Sequence, residues 1–174
     1  SSAGFKGVEF LFPYDFSIAD VQDAAKSAGI EIALFNLPPG DWEKAERGLA
    51  AMPGREADFA EALDKAICYA VPLGCKRLHM MAGIPGGDAD LAQCRATYVS
   101  NLKYAAPKLA DAGIMGLIEP INTRDIPGYF INYQQDGHDV LANVGADNLM
   151  VQMDFYHVQI MEGDIAMRFQ KHQA

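Results

Sequence analysis

Ile114-Met115-Gly116-Leu117-Ile118-Glu119-Pro120-Ile121-Asn122 opens directly after Gly113 and joins an apolar run to a carboxylate at its end. Such a run, bounded by glycine and proline, reads as a buried strand of a parallel sheet. Pro120 cannot donate to a sheet ladder, so the strand stops and leaves Glu119 at its carboxyl end. In parallel α/β proteins, ligands bind and chemistry is done at that end. A carboxylate there is costly to bury unless something pairs with it. The same design returns in Leu149-Met150-Val151-Gln152-Met153-Asp154-Phe155-Tyr156-His157, where Asp154 and His157 follow a second apolar run. Two such ends side by side make the beginning of a metal site.

Working outward, a repeated signature precedes each strand candidate: Ala3-Gly4, Ala28-Gly29, Leu73-Gly74, Ala112-Gly113 and Val144-Gly145. Glycine just past a helix tolerates the left-handed conformation that caps it. The pattern predicts strands over 7–12, 31–36, 77–82, 115–119 and 149–155, with helices over 17–27, 55–71, 88–111, 135–143 and 158–172. Strict alternation of this kind argues for a parallel sheet with right-handed crossovers. Five units fit a small doubly wound sheet or a piece of an eightfold barrel, which usually takes about 250 residues. Ser1-Ser2-Ala3-Gly4-Phe5 matches the closing turn of a helix, which favours the piece. The expectation is one domain over 1–174: an incomplete (β/α)8 TIM barrel of about five βα units, lacking the first unit and the last strands.

The chain has 174 residues and a net charge of −9, an acidic balance that speaks against a phosphate-tracking surface and hence against nucleic acid. Cys68, Cys75 and Cys94 are odd in number and lack C-x-x-C spacing, which argues for a reducing, cytoplasmic setting. No apolar run reaches the roughly 18 residues that span a bilayer, so no membrane partner is expected. The open edges of an unclosed barrel invite association with another copy, making a homo-oligomer an expectation.

Strand parity places Met115, Leu117 and Glu119 on one face, and Met150, Gln152 and Asp154 on another strand's corresponding face. If both sets face inward, the two carboxylates form an oxygen-rich pair suited to Mg²⁺ or Mn²⁺. The alternative is that Glu119 caps a turn while Asp154 pairs with Arg124. His157 could reach a substrate oxygen or a metal, although a lone histidine after an apolar run is more often a satisfied structural residue. His79 reads better as a hydrogen-bonded core histidine, and His138 and His172 as solvated helix residues. The long segment 37–53 and the elaborated stretch 122–129 both follow strand ends and could cover a pocket. In and just beyond the first, Arg47 and Arg55 could hold a substrate carboxylate bidentately, or be solvated. Glu43-Lys44-Ala45-Glu46 reads as an exposed charged turn, and Gly83-Ile84-Pro85-Gly86-Gly87 as a loop without the spacing of a phosphate cradle.

Gly7-Val8-Glu9-Phe10-Leu11-Phe12-Pro13-Tyr14, Gly40-Asp41-Trp42 through Glu46-Arg47-Gly48 to Pro53-Gly54-Arg55, Ile118-Glu119-Pro120-Ile121-Asn122 and Asp154-Phe155-Tyr156-His157 together resemble the hydroxypyruvate isomerases among the xylose isomerase-like TIM barrels. The closely related 2-oxotetronate isomerases share the pattern. The resemblance implies a metal-assisted isomerisation of hydroxypyruvate to tartronate semialdehyde, or of a close 2-oxo acid homologue, through an enediolate. It implies Glu119 as catalytic glutamate and metal ligand, Asp154 as a second ligand to Mg²⁺ or Mn²⁺, and His157 as a substrate contact. Arg47 is the candidate for the substrate carboxylate on charge and loop position. In the family the second glutamate and remaining ligands come from later strands, so half a site is expected here. A ketose 3-epimerase of the same fold, and an inactive barrel acting as a binding protein, are the competing expectations.

Overall fold

The computed structural model describes residues 3–173. Five strands, β1 (Gly7–Phe10), β2 (Glu31–Asn36), β3 (Arg77–His79), β4 (Met115–Ile118) and β5 (Leu149–Val151), form one parallel sheet in the order β1-β2-β3-β4-β5. Between them run α1 (Ile18–Ala28), α2 (Glu56–Leu73), α3 (Leu91–Asp111) and α4 (Gln134–Val144), and after β5 come α5 (Phe155–Met161) and α6 (Ile165–His172). Each of α1 to α3 packs on the helix that follows it. A doubly wound sheet reverses strand order at a switch point. Here the order never reverses, and the architecture is that of consecutive units of a (β/α) barrel, with β1 and β5 at the edges.

The core lies between the sheet and these helices. Phe59, Leu63, Ala66 and Ala70 of α2, and Tyr98, Leu102, Ala105 and Leu109 of α3, recur at helical spacing and are all buried. They meet Phe35, Leu78, Ile118 and Leu149 of the strands. Gly116 leaves room for packing over β4: a Cβ there would crowd Leu149, Met80 and Leu109. Alternation turns the partners of the register Asn36, His79, Leu117 and Met150 to the opposite face, the interior of the barrel. Chain punctuation follows the expected chemistry. Ser17 caps α1 by accepting from the Asp20 N–H, and Gly4, Gly29, Gly74, Gly113 and Gly145 have φ of 82°, 61°, 68°, 65° and 71°. Ser1 and Ser2, on which part of the expected closing helical turn falls, and Ala174 lie outside the described residues.

Three expectations are corrected. Strands predicted to run to 82 and 155 end at His79 and Val151, since Met80 to Ala82 bend toward the long loop and Asp154 already caps a helix. The single helix predicted over 158–172 is two, broken where Gly163 and Asp164 take φ of 66° and 48°. His138 and His172 are not simply solvated: their rings stack across α4 and α6 at 4.4 Å, and burial pushes both imidazoles below the usual histidine range. Among the described residues no helix is long and apolar enough to cross a membrane.

Candidate active site

The register Ile118↔Val151 sets the ends of β4 and β5 side by side, so Glu119 and Asp154 emerge together. Glu119 is 7% exposed. Burial first, then the neighbouring charges of Asp154 and Glu9, pushes its carboxyl up to about 8. Asp154 has a different environment: it is the N-cap of α5 and accepts from the Tyr156 N–H at 2.7 Å. Among the described residues neither carboxylate forms an ion pair with a lysine or arginine, and Arg124 lies beside Asp125 instead, so the suggested Asp154–Arg124 pair does not form.

His157, in the first turn of α5, completes the group. One ligand atom from each of Glu119, Asp154 and His157 lies within 4.8 Å of the others. Its tautomer follows from Asn122, which is fully buried. Asn122 Oδ1 accepts from the backbone N–H groups of Arg124 and Asp125 at 3.0 and 2.8 Å, which fixes the amide. Asn122 Nδ2 therefore donates, to Asp125 at 2.9 Å and to His157 Nδ1 at 2.7 Å. With Nδ1 accepting, the proton of a neutral imidazole sits on Nε2, 4.0 Å from Asp154. The ring offers the site an N–H donor. Two adjacent carboxyl groups, neither paired with a lysine or arginine among the described residues, are the oxygen donor set that a hard divalent ion satisfies, so the residues fit such a metal.

Arg47 is held within the long loop. Its guanidinium stacks 3.7 Å from the Trp42 ring and donates from Nη1 to the carbonyls of Trp42 and Glu46 at 2.9 and 2.8 Å. Trp42 in turn packs edge-on against Phe12, just beyond β1, which hangs the long loop over the carboxyl end of the sheet. Arg55 is not available for a substrate, because Glu46 and Asp58 take its donors. Glu46 is correspondingly not a free member of an exposed turn: it also accepts the Asp41 N–H at 2.6 Å and closes the loop. His79 is a buried, hydrogen-bonded histidine as expected, with Nδ1 3.0 Å from Asn36 Oδ1.

Two participants were missed from the sequence as individual residues. Asn122 carries a local signal, since an asparagine followed by free N–H groups two and three residues on makes an Asx turn. Glu9 carries none, because an acidic residue on a half-exposed edge strand reads as solvated.

The fold and this cluster define a TIM barrel with a carboxylate-rich upper face. The profile of the xylose isomerase-like TIM barrel family matches residues 1–173, and the chain belongs to that family. Within it, the chain is 54% identical over 168 residues to the 2-oxo-tetronate isomerase of Cupriavidus necator, covering 97% of this chain and 65% of that protein. It is 42% identical over 165 residues to the hydroxypyruvate isomerase of Escherichia coli, covering 95% of this chain and 64% of the relative. The crystal structure titled AP endonuclease, family 2 from Brucella melitensis superposes with a TM-score of 0.94 at 47% identity, over 98% of this chain and 66% of that one. The chain thus spans slightly less than two thirds of the length of these relatives.

Proposed function

We propose that the protein is an isomerase of small 2-oxo acids, interconverting hydroxypyruvate and tartronate semialdehyde or acting on a 2-oxotetronate. The observation that carries this reading is the meeting of Glu119, a buried carboxyl at the sheet's upper end, with Asp154 and the Nε2–H of His157. Isomerisation takes a proton from the carbon bearing the hydroxyl and returns one to the adjacent carbonyl carbon, while the hydroxyl proton passes between the two oxygens. Such a transfer needs a carboxylate base beside the reacting carbon, and Glu119 stands at the sheet's upper end next to Asp154. In this reading Glu119 exchanges the carbon-bound proton. His157 donates from Nε2 to the oxygen on which enediolate charge develops, and Asn122 holds the ring in the tautomer that allows it. Mg²⁺ or Mn²⁺, held by Glu119 and Asp154, would polarise the substrate oxygens when bound. In this reading Arg47 holds the substrate carboxylate with donors other than Nη1, which the loop carbonyls engage.

The likeness to 2-oxo-tetronate and hydroxypyruvate isomerases supports this substrate class. The test is turnover of hydroxypyruvate followed by proton NMR with added Mg²⁺ or Mn²⁺. Glu119→Gln is expected to lower kcat by about 10³-fold, within the range of general acid–base contributions. Unchanged turnover in that variant, or preferential epimerisation of a neutral ketose by the parent, would overturn the proposal.

A further inference from the structure

Four buried side-chain polar atoms have no hydrogen-bond partner among the described residues: His79 Nε2, Gln134 Oε1, Gln152 Oε1 and His172 Nε2. Such an atom is unfavourable and calls for an explanation. Gln134 and His172 belong to α4 and α6, but the other two flank Glu119. On one side His79 pairs with Leu117, the interior residue that precedes Glu119 on β4. On the other side the ladder runs on past β5: the Gln152 N–H donates to the Ile118 carbonyl at 2.8 Å, one residue beyond the Ile118↔Val151 pair. Gln152 is thus the neighbour of Glu119 on the adjoining strand end, two residues from interior-facing Met150 and two from Asp154. Its side chain is half-buried, and its amide makes no hydrogen bond among the described residues. A methionine would fill the same position without an unpaired group, so packing does not account for an amide here.

Charge narrows what the amide serves. Glu119 has the carboxyl groups of Asp154 and Glu9 for neighbours, and among the described residues no lysine or arginine pairs with it. A divalent ion held by Glu119 and Asp154 balances two of these charges at most. An uncharged oxygen of a ligand therefore suits this place better than its carboxylate. We propose that Gln152 is a specificity-determining residue whose amide holds the oxygen on C3 of the substrate, a hydroxyl before isomerisation and a carbonyl after it. The choice of that oxygen rests on the 2-oxo acid reading. An amide both donates and accepts, so it pairs with a hydroxyl whichever way it is turned and keeps a donor for the carbonyl oxygen. Binding then supplies the partner that the fold withholds, and the substrate carboxylate is left to Arg47. A site that hydrogen-bonds a substrate hydroxyl rejects the analogue lacking it, because its own polar group stays unpaired.

The test uses glycerate and lactate, which lack the carbonyl that isomerisation needs and differ only in the C3 hydroxyl. Each is titrated calorimetrically into the parent and Gln152→Met with Mg²⁺ present, and turnover of hydroxypyruvate is followed separately by proton NMR. The parent is expected to prefer glycerate by about 10-fold, the weight of one hydrogen bond. Gln152→Met should bring the preference to within about 2-fold, by weakening glycerate and leaving lactate unchanged. A parent without a preference, a preference that survives the substitution, or equal weakening of both acids overturns the inference, the last by putting the amide on the carboxylate. A parent that turns over hydroxypyruvate while Gln152→Met keeps the preference leaves the isomerase reading standing and removes Gln152 from it. A parent without turnover whose preference is lost with the amide breaks that reading and leaves the hydroxyl contact. If circular dichroism shows that Gln152→Met does not fold, Gln152→Asn, which withdraws the amide by one methylene, reads the same contrast.

Discussion

Two regions at the carboxyl end of the sheet handle charge in opposite ways. In the long loop, Arg55 bridges Glu46 and Asp58, Glu46 also takes the Asp41 N–H, and Arg47 donates from Nη1 to two carbonyls and stacks on the Trp42 ring. Most charges there have found a partner. Beyond β4 and β5, Glu119 faces Asp154 and Glu9, and among the described residues no lysine or arginine pairs with it and His79 Nε2 has no partner. The loop is finished as built, while the strand ends are arranged for something the chain itself does not supply.

The contrast can be tested most strongly through pH. Glu119 is held protonated in the folded state up to about 8, against 4.5 for an unperturbed glutamate. Below 4.5 both folded and unfolded states bind the proton; between 4.5 and about 8 only the folded state does, so stability falls as pH rises through that window and levels off above it. In chelator, urea unfolding at pH 9 should show a loss on the order of 3 kcal/mol relative to pH 5 from this group, and Glu119→Gln should flatten the difference. An equally steep profile in the variant would mean that Glu119 is not the strained group. A smaller effect is expected from Asp154→Asn. Asparagine caps a helix as well as aspartate, so the melting temperature should hardly move, whereas Mn²⁺ affinity should fall on the order of 10-fold to 100-fold. Intact affinity would remove Asp154 from the ligand set and leave it as a cap only.

The fold was legible because its signals are local and periodic. Glycines 29, 74, 113 and 145 punctuate the helix ends, and Pro120 ends the strand so that Glu119 falls at its tip. Glu119, Asp154 and His157 could be singled out because each closes an apolar run, and strand pairing brought them together. What could not be read was set by contacts distant in sequence. The tautomer of His157 depends on an amide 35 residues earlier, and the stacking of His138 on His172 depends on how α6 folds back after Gly163. Arg47 and Arg55 look alike in sequence, yet the Glu46 carboxylate chooses Arg55 and leaves Arg47 to the Trp42 ring.

That choice yields the smallest and most discriminating effect. Arg55 holds the Glu46 carboxyl below the usual glutamate range, the reverse of what burial does to Glu119. A depressed carboxylate contributes stability above its unfolded value of 4.5 and loses it as pH falls through the folded value. The Arg55 side chain is 38% exposed and that of Glu46 28%, so solvent screens the pair and Arg55→Met should cost only about 0.5–1 kcal/mol at neutral pH. The loss should disappear when unfolding is measured well below pH 4, where the parent has also lost the pair. Glu119→Gln should help at alkaline pH and Arg55→Met should hurt only above acid pH. Turnover of hydroxypyruvate should survive Arg55→Met, because its guanidinium is committed to the loop; a fall in kcat/KM as large as that of Arg47→Met would show that the loop's charges are less self-contained than their pairing implies.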